Sequence, residues 1–283
     1  MKILKNIKLI INRTIKSSPI EYVSGEKSYG NLAEIHFEVN IRNTLKEYVL
    51  KKNIILNTNC NKAEIDFLIK YKNKLFIIEI KNWKGDIQEK IENNKEYFIC
   101  IKKDKYTNEI YTKTMKSPFI QLKNQIKTLK AVTNSNPYIN GIVFFHGAES
   151  INIKNDKNVW FNNIEELINY IIKGGKESSD IEIKKCIDNC KTSDYIVSKR
   201  KNSHCIIQDS SLNFNVDNIL YTRKDISKIL IKHHLLYDEV FLYLKNNEIK
   251  NIIIENGYIS VNNGIDTIKK YSLSKIDRII LGI

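Results

Sequence analysis

No stretch of this chain approaches the ~18 consecutive apolar residues of a membrane-spanning helix, so no transmembrane segment is expected. Its five cysteines (Cys60, Cys100, Cys186, Cys190 and Cys205) are odd in number and irregularly spaced, which argues against a disulfide framework and for free thiols in a reducing cytoplasm. No G-x-x-x-x-G-K-[ST] loop occurs, which removes an intrinsic ATP-driven motor. A G-x-S-x-G elbow is also missing, and nothing nominates a Ser-His-Asp triad. There is no internal repeat. Acidic residues are in deficit: 32 against 46 lysines and arginines, a formal net charge of +14. Such a surplus favours polyanionic partners through phosphate contacts and counterion release. Lysine is used heavily throughout, however, so charge alone does not establish nucleic-acid binding.

The most informative stretch that is present is Ala63–Gly85, AEIDFLIKYKNKLFIIEIKNWKG. Two apolar runs, Ile65–Ile69 and Leu75–Ile80, flank the polar turn Tyr71-Lys72-Asn73-Lys74, a pattern that predicts a β-hairpin. A two-residue loop at Lys72-Asn73 pairs Tyr71 with Lys74 and sets Asp66 opposite Glu79. Side chains alternate along a strand, so Glu79 and Lys81 share a face while Ile78 and Ile80 point the other way. Opposed carboxylates repel, and the sheet gains nothing from holding them together. A divalent cation converts that repulsion into coordination. Mg²⁺ is commonly held by one or two carboxylates, with water and phosphate oxygens completing its shell. There it can polarise phosphorus and acidify a water, and Lys81 is placed to orient that water or to stabilise charge on the phosphorane oxygens. An ordinary solvated hairpin face would also carry E-I-K, but Glu79 and Lys81 interrupt a run that is otherwise apolar enough to be buried on both faces.

The string E-I-D, a hairpin, then I-E-I-K-N-W-K-G resembles the nuclease-related domain (NERD) of the PD-(D/E)xK nuclease superfamily. Two weaker elements follow in the family's order: Gly30-Asn31-Leu32-Ala33-Glu34, with helical spacing of Ile35, Val39, Ile41 and Leu45 after it, and Ser117-Pro118-Phe119-Ile120-Gln121. The resemblance covers residues 25–147. It implies Asp66 and Glu79 as ligands of Mg²⁺ or Mn²⁺, Lys81 as the catalytic lysine, Glu34 as a further acid positioning metal or water, and Gln121 as a polar orienting group. Glu38, one turn beyond Glu34 on the same helix face, is the competing acid. Trp83 and Gly85 match the family's stretch after the lysine, and Trp83 is expected to buttress the strand end, a role favoured over stacking near nucleic acid. Where the superfamily name has Pro-Asp, this chain has Ile65-Asp66.

Elsewhere, Met1–Lys16 reads as a basic amphipathic helix (Leu4, Ile7, Ile11 and Ile15 against Lys2, Lys5, Lys8 and Arg13). Docking on the protein's own core is favoured over lying on a membrane surface. Within 25–173 the expected elements are a helix at Asn31–Val49, a strand at Ile54–Asn57, the central hairpin, and a second hairpin from Tyr97–Lys102 and Glu109–Lys113. A helix from Pro118 to Val132, strands at Gly141–Phe145 and Trp160-Phe161, and a helix at Ile164–Ile172 follow. Residues 174–204 read as a linker and helical connector, with helix at Ile181–Asn189. In 205–283, Thr222 is expected to cap a helix at Arg223–His234, followed by strands at Val240–Leu244, Asn251–Ile254 and Tyr258–Val261, the last two joined by a hairpin turn at Asn256-Gly257.

The expected fold class is therefore α/β, a mixed central sheet flanked by helices in three layers, restriction-endonuclease-like by the resemblance, with a small α+β C-terminal module. Zinc at Cys186, Cys190, His204 and Cys205 is disfavoured, since the spacing matches no standard ribbon or finger. His233-His234, on a helix, would diverge by ~100° and suit a shared metal poorly. The expected activity is that of a metal-dependent deoxyribonuclease, an endonuclease, acting on DNA in preference to RNA. The competing readings are a non-cleaving nucleic-acid-binding or adaptor protein with the same fold, and a membrane-surface protein tethered by Met1–Lys16.

Overall fold

The computed structural model describes residues 25–57, 62–93, 95–104, 106–154, 158–190, 192–198, 203–262 and 268–282. Met1–Lys16 and Cys60 lie outside them. The chain forms two compact units, one spanning Val23–Leu56 and Asn61–Cys190 and the other containing Lys191–Ile283.

The first unit is mixed α/β. Helix α1 (Gly25–Thr44) leads into strand β1 (Tyr48–Asn57), then β2 (Lys62–Tyr71) and β3 (Lys74–Lys81). After β4 (Gly85–Glu92), β5 (Lys95–Lys103) and β6 (Ile110–Lys116) come helix α2 (Pro118–Thr133), β7 (Ile139–Phe145), β8 (Ala148–Asn152), β9 (Trp160–Phe161), α3 (Ile164–Lys173) and α4 (Asp180–Asn189). A five-stranded sheet runs in the order β1-β2-β3-β7-β9. Strands β2 and β3 are antiparallel, whereas β3, β7 and β9 are parallel, so the sheet is mixed.

Strand β3 is buried from Lys74 to Ile80 because both its faces are covered. Leu75 and Ile77 pack with Phe119, Leu122 and Leu129 of α2 and with Ile183 and Ile187 of α4. Phe76, Ile78 and Ile80 turn to the other side, where Ala33, Phe37 and Ile41 of α1 and Leu167 and Ile171 of α3 meet them. Each side chain of this length is worth about 1.5–3 kcal/mol when fully buried, which fixes the hairpin's register firmly.

A second sheet, ordered β6-β5-β4-β8, leaves the first through Gly85. That residue has φ +91°, and a Cβ there would sit 2.2 Å from the Ile101 carbonyl oxygen, so only glycine fits. Strands β4 and β8 were not expected from the sequence, since the polar-rich GDIQEKIE of β4 does not read as a strand. Helix α1 also starts earlier and ends earlier than expected, and its place after Thr44 is taken by the longer β1.

The second unit departs from the α+β expectation. Among its described residues the chain makes strands β10 (Asp194–Ser198), β11 (Ser203–Ile207), β12 (Phe214–Val216), β13 (Ile219–Tyr221), β14 (Ile226–His233), β15 (Asp238–Leu244), β16 (Ile249–Ile254), β17 (Tyr258–Asn262), β18 (Ile268–Ser272) and β19 (Ile276–Ile280), with two short 3₁₀ turns. Eight of these form one sheet, β16-β15-β14-β19-β10-β11-β17-β18. The helix expected at Arg223–His234 is strand β14. A bulge between Ile226 and Lys228 shifts the alternation, so Ile226, Ile229 and Ile231 all point inward, and the spacing of three mimics a helical period. Thr222 does not cap a helix. Its N–H and hydroxyl instead donate to the Asp225 carboxylate (2.8 and 2.9 Å) at a turn.

Nor do β16 and β17 form a hairpin at Asn256-Gly257. β16 pairs with β15, and β17 pairs with β11 and β18. Buried Asp194 takes a bidentate pair from Arg223 (2.7 and 2.5 Å), which ties β10 to the segment before β14.

Candidate functional site

The hairpin turns at Lys72-Asn73, with Lys72 at φ +52°, and its ladder runs from Tyr71 opposite Lys74 to Phe67 opposite Ile78. There the paired register stops. Asp66 stands where the next pair with Glu79 would fall, and its Oδ2 accepts the Ile80 backbone N–H (2.8 Å). The alternation of β2 also slips at this point. Ala63 and Ile65 pack into the same core as Leu68, although two of these residues have odd numbers and one even. The slip opens the strand end and turns the Asp66 carboxylate towards β3.

Glu79 is 2% exposed, yet it is a carboxylate in an apolar sheet. Its partners explain why it is tolerated, since a buried charge needs pairing and hydrogen bonds. Oε1 accepts from Lys81 Nζ (2.5 Å) and from Gln121 Nε2 (2.7 Å), and Oε2 accepts from Gln125 Nε2. Lys81 Nζ also donates to Gln121 Oε1 (3.0 Å), closing a triangle of Glu79, Lys81 and Gln121. Gln125 spans to the Glu64 carbonyl (2.6 Å), and its Oε1 is a buried acceptor with no hydrogen-bond partner among the described residues.

Helix α2 brings the two glutamines in. Ser117 caps it by accepting the Ile120 N–H (3.3 Å), with Pro118 at its first turn. Four residues separate Gln121 from Gln125, so both project from one face towards β3.

Helix α1 supplies Glu34. Burial, reinforced by the nearby Glu64, raises its carboxyl from the usual 4.5 to about 7, with Glu79 and Glu38 adding to the rise and Lys52 opposing it. Asp66 is also pushed well above the usual carboxylate range, first by burial and then by Glu79 and Glu34. Glu38 behaves oppositely. Burial would raise it, but hydrogen bonds from Lys52 (2.7 Å) and Arg42 outweigh that and hold it below its usual value. Glu34 rather than Glu38 is thus the helix acid that shares the field of Asp66 and Glu79.

The structure therefore gathers Asp66, Glu79, Lys81 and Gln121 at one strand end, with Glu34 in electrostatic range. Sequence reasoning missed Gln125. It falls among Phe119, Leu122, Ile126 and Leu129, where an amide on an apolar helix face is out of place, and it is 1% exposed. Trp83 buttresses the site as expected, with ring centroids 5.6 Å from Phe145 and 5.9 Å from Phe98.

Asp66 and Glu79 are hard oxygen donors, and the charge of Glu79 adds to the rise of the Asp66 carboxyl, a set that suits a divalent cation carrying water and phosphate as its remaining ligands. Among the described residues no group of three or more His, Cys, Asp or Glu is poised to hold a metal ion, so Glu34 is not part of a preformed cage. Of the cysteines weighed for zinc, Cys186 and Cys190 are buried in the core under α2, and Cys205 in the core of the second unit.

The family model of the nuclease-related domain matches residues 29–146, which contain every one of these site residues. No curated protein and no solved structure is significantly similar to the chain. Among the described residues, no helix is long and apolar enough to cross a membrane.

Proposed function

We propose that the segment matching the nuclease-related domain hydrolyses phosphodiester bonds of DNA as a metal-dependent endonuclease, on a restriction-endonuclease-like three-layer core. The observation that carries this reading is the buried Glu79 carboxylate held between Lys81 and two helix glutamines, beside an Asp66 whose charged form is destabilised. Structural ion pairs seldom collect two carboxylates and one lysine at the open end of a parallel strand, whereas perturbed carboxyls clustered in this way mark functional sites.

Asp66 and Glu79 would hold Mg²⁺ or Mn²⁺, with Glu34 adding negative field. The bound ion would supply Lewis-acid polarisation of the phosphate and acidification of a water. Lys81 lies on the same face, and its ammonium would stabilise charge developing on the phosphoryl oxygens. In the resting site it is drawn to Glu79 and Gln121, which keep it aimed and desolvated. Gln121, half in solvent, would orient the attacking water or the Lys81 ammonium. Gln125 fixes the Glu79 carboxylate from behind.

The test is cleavage of circular and linear DNA, and of RNA, with Mg²⁺ or Mn²⁺, beside Asp66→Ala and Lys81→Ala. Loss of cutting in both variants with unchanged folding is expected. Undiminished cutting in either would remove the assignment. A second reading, a non-cleaving nucleic-acid-binding protein, draws on the net charge of +14. Salt-sensitive DNA binding without turnover in any metal would favour it.

A further inference from the structure

The parallel strands β3, β7 and β9 all end at the same edge of the sheet, and in open α/β sheets ligands settle in crevices beyond the carboxyl ends of such strands. One such crevice lies beyond the same strand ends as the site described above but on the α1 and α3 side of the sheet, and is not used by it. His146, the first residue after β7, donates its backbone N–H to the carbonyl of Lys81 (2.8 Å), so the loop after β7 is stitched to the strand that carries Glu79 and Lys81. A cavity of about 350 Å³ opens here, lined by His36 of α1, by Phe144 and His146, and by Asn162, Asn163 and Glu165 where β9 passes into α3. That volume is at the lower end of small-ligand sites, about 300–1,000 Å³.

The lining decides what the cavity can take. The rings of His36 and His146 stand 5.5 Å apart at 60°, and His146 lies 6.2 Å from Phe144 at 64°, which makes a corner of tilted aromatic faces. Burial, with His36 and Lys84 nearby, lowers the proton affinity of His146 and so favours its neutral ring, whose Nδ1 faces Asn82 Oδ1 at 3.5 Å. A phosphate is disfavoured: Asn163 already accepts the Glu165 and Glu166 N–H groups (2.8 and 3.2 Å), and the first turn of α3 is acidic. A hard divalent cation is disfavoured as well, because Glu165 is the single acid among the residues lining the cavity. A flat, neutral group with polar edges fits on both counts. It can stack on imidazole and bond to the exposed Asn162 amide.

We propose that this cavity receives one unpaired nucleobase of the strand being cut, so that the substrate class is nucleic acid with single-stranded or splayed nucleotides. Bases buried in a duplex stack cannot enter without first being extruded, whereas unpaired bases stack readily on protein aromatic rings. This rests on the nuclease reading, since it uses the strand's passage over Lys81 to bring a neighbouring base to His146.

The test uses the full-length protein in EDTA, with single-stranded DNA carrying 2-aminopurine at successive positions. Emission reports unstacking of the probe, and anisotropy reports overall binding. At one position the wild-type protein should change probe emission several-fold. His36→Ala, His146→Ala and the cavity-filling Asn162→Trp should each abolish that change and weaken strand binding about ten-fold. His36 and Asn162 are exposed, so those two variants keep the test valid if His146→Ala does not fold. Duplex DNA should compete poorly. A parallel titration with free deoxynucleoside monophosphates separates a strand-borne base from a free nucleotide: displacement of the probe by monophosphate alone, with no strand effect, would overturn the strand assignment. Emission indifferent to all three substitutions, with cleavage intact, would overturn the subsite alone. An emission change that persists in a protein unable to cut in any metal would remove the nuclease reading and leave the base site standing.

Discussion

Gln125 donates from Nε2 to both the Glu79 carboxylate and the Glu64 carbonyl, which couples helix α2 to two neighbouring strands through a single buried amide. Gln125→Ala would leave the buried Glu79 carboxylate and the part-buried Glu64 carbonyl each short of a donor. Each such loss costs about 1–3 kcal/mol, so chemical denaturation should show a drop of that order or more. Cleavage should fall as well, because Glu79 loses its rear support. Gln125→Leu, close to it in volume, should recover part of the stability and none of the activity.

Glu34 gives a prediction in pH. Its carboxyl titrates near 7 in the folded chain against 4.5 ordinarily, so the folded state binds the extra proton between those values. Stability must therefore fall as pH rises through that window, and the loss is complete above it. Glu34→Gln removes the dependence. Thermal melts in EDTA should find the variant and the wild type alike near the lower value, and the variant more stable by up to about 3 kcal/mol at alkaline pH. Equal melting at both ends would contradict the buried, repelled state of this group.

Glu38 provides the control. Its carboxylate is occupied by Arg42 and Lys52, so Glu38→Gln should lower stability by about 1 kcal/mol or less and change cleavage little. Glu34→Gln should lower cleavage at least ten-fold. A reversed ranking in a metal-dependent nicking assay would exchange their roles.

Asp66→Asn keeps the shape and the Ile80 contact but removes a carboxylate that burial and Glu79 disfavour. Calorimetric titration should find divalent-ion binding lost, while thermal stability without metal is maintained or increased. Lys81→Arg should reduce cleavage by about 10²-fold or more, because a planar guanidinium cannot take the place of a compact ammonium between Glu79 and Gln121.

Gly85→Ala tests the passage between the two sheets. With φ +91° and the Ile101 carbonyl oxygen 2.2 Å from the added Cβ, the backbone must move. A loss of about 2–4 kcal/mol in urea unfolding is expected.

Much of this was legible because the hairpin is governed by local rules. The polar Lys72-Asn73 turn fixes the register, and a period of two then puts Glu79 and Lys81 on the α2 side. The start of α2 at Ser117-Pro118 was legible for the same reason. Other features depend on partners distant in sequence. Gln125 reads as a defect in an apolar helix face until Glu79 and Glu64 are placed beside it. The bulge after Ile226 gave β14 a false helical period, and only pairing with β15 and β19 corrects it. Gly257 reads as a hairpin turn, yet its neighbouring strands pair elsewhere, and the side chain of Leu273 packs 2.3 Å from where its Cβ would be.

The pairing of β3 has a consequence for biosynthesis. One neighbour is its own hairpin partner, while the other, β7, is translated only after both glutamines of α2. A nascent polypeptide therefore exposes its acidic residues on a half-built ribbon before the far edge arrives to cover it. Ribosome-stalled chains ending before Ile139 should be protease-sensitive across the hairpin and silent in any nicking assay, and protection and nicking should appear together only in chains long enough to include α3 and α4, which complete the cover of β3.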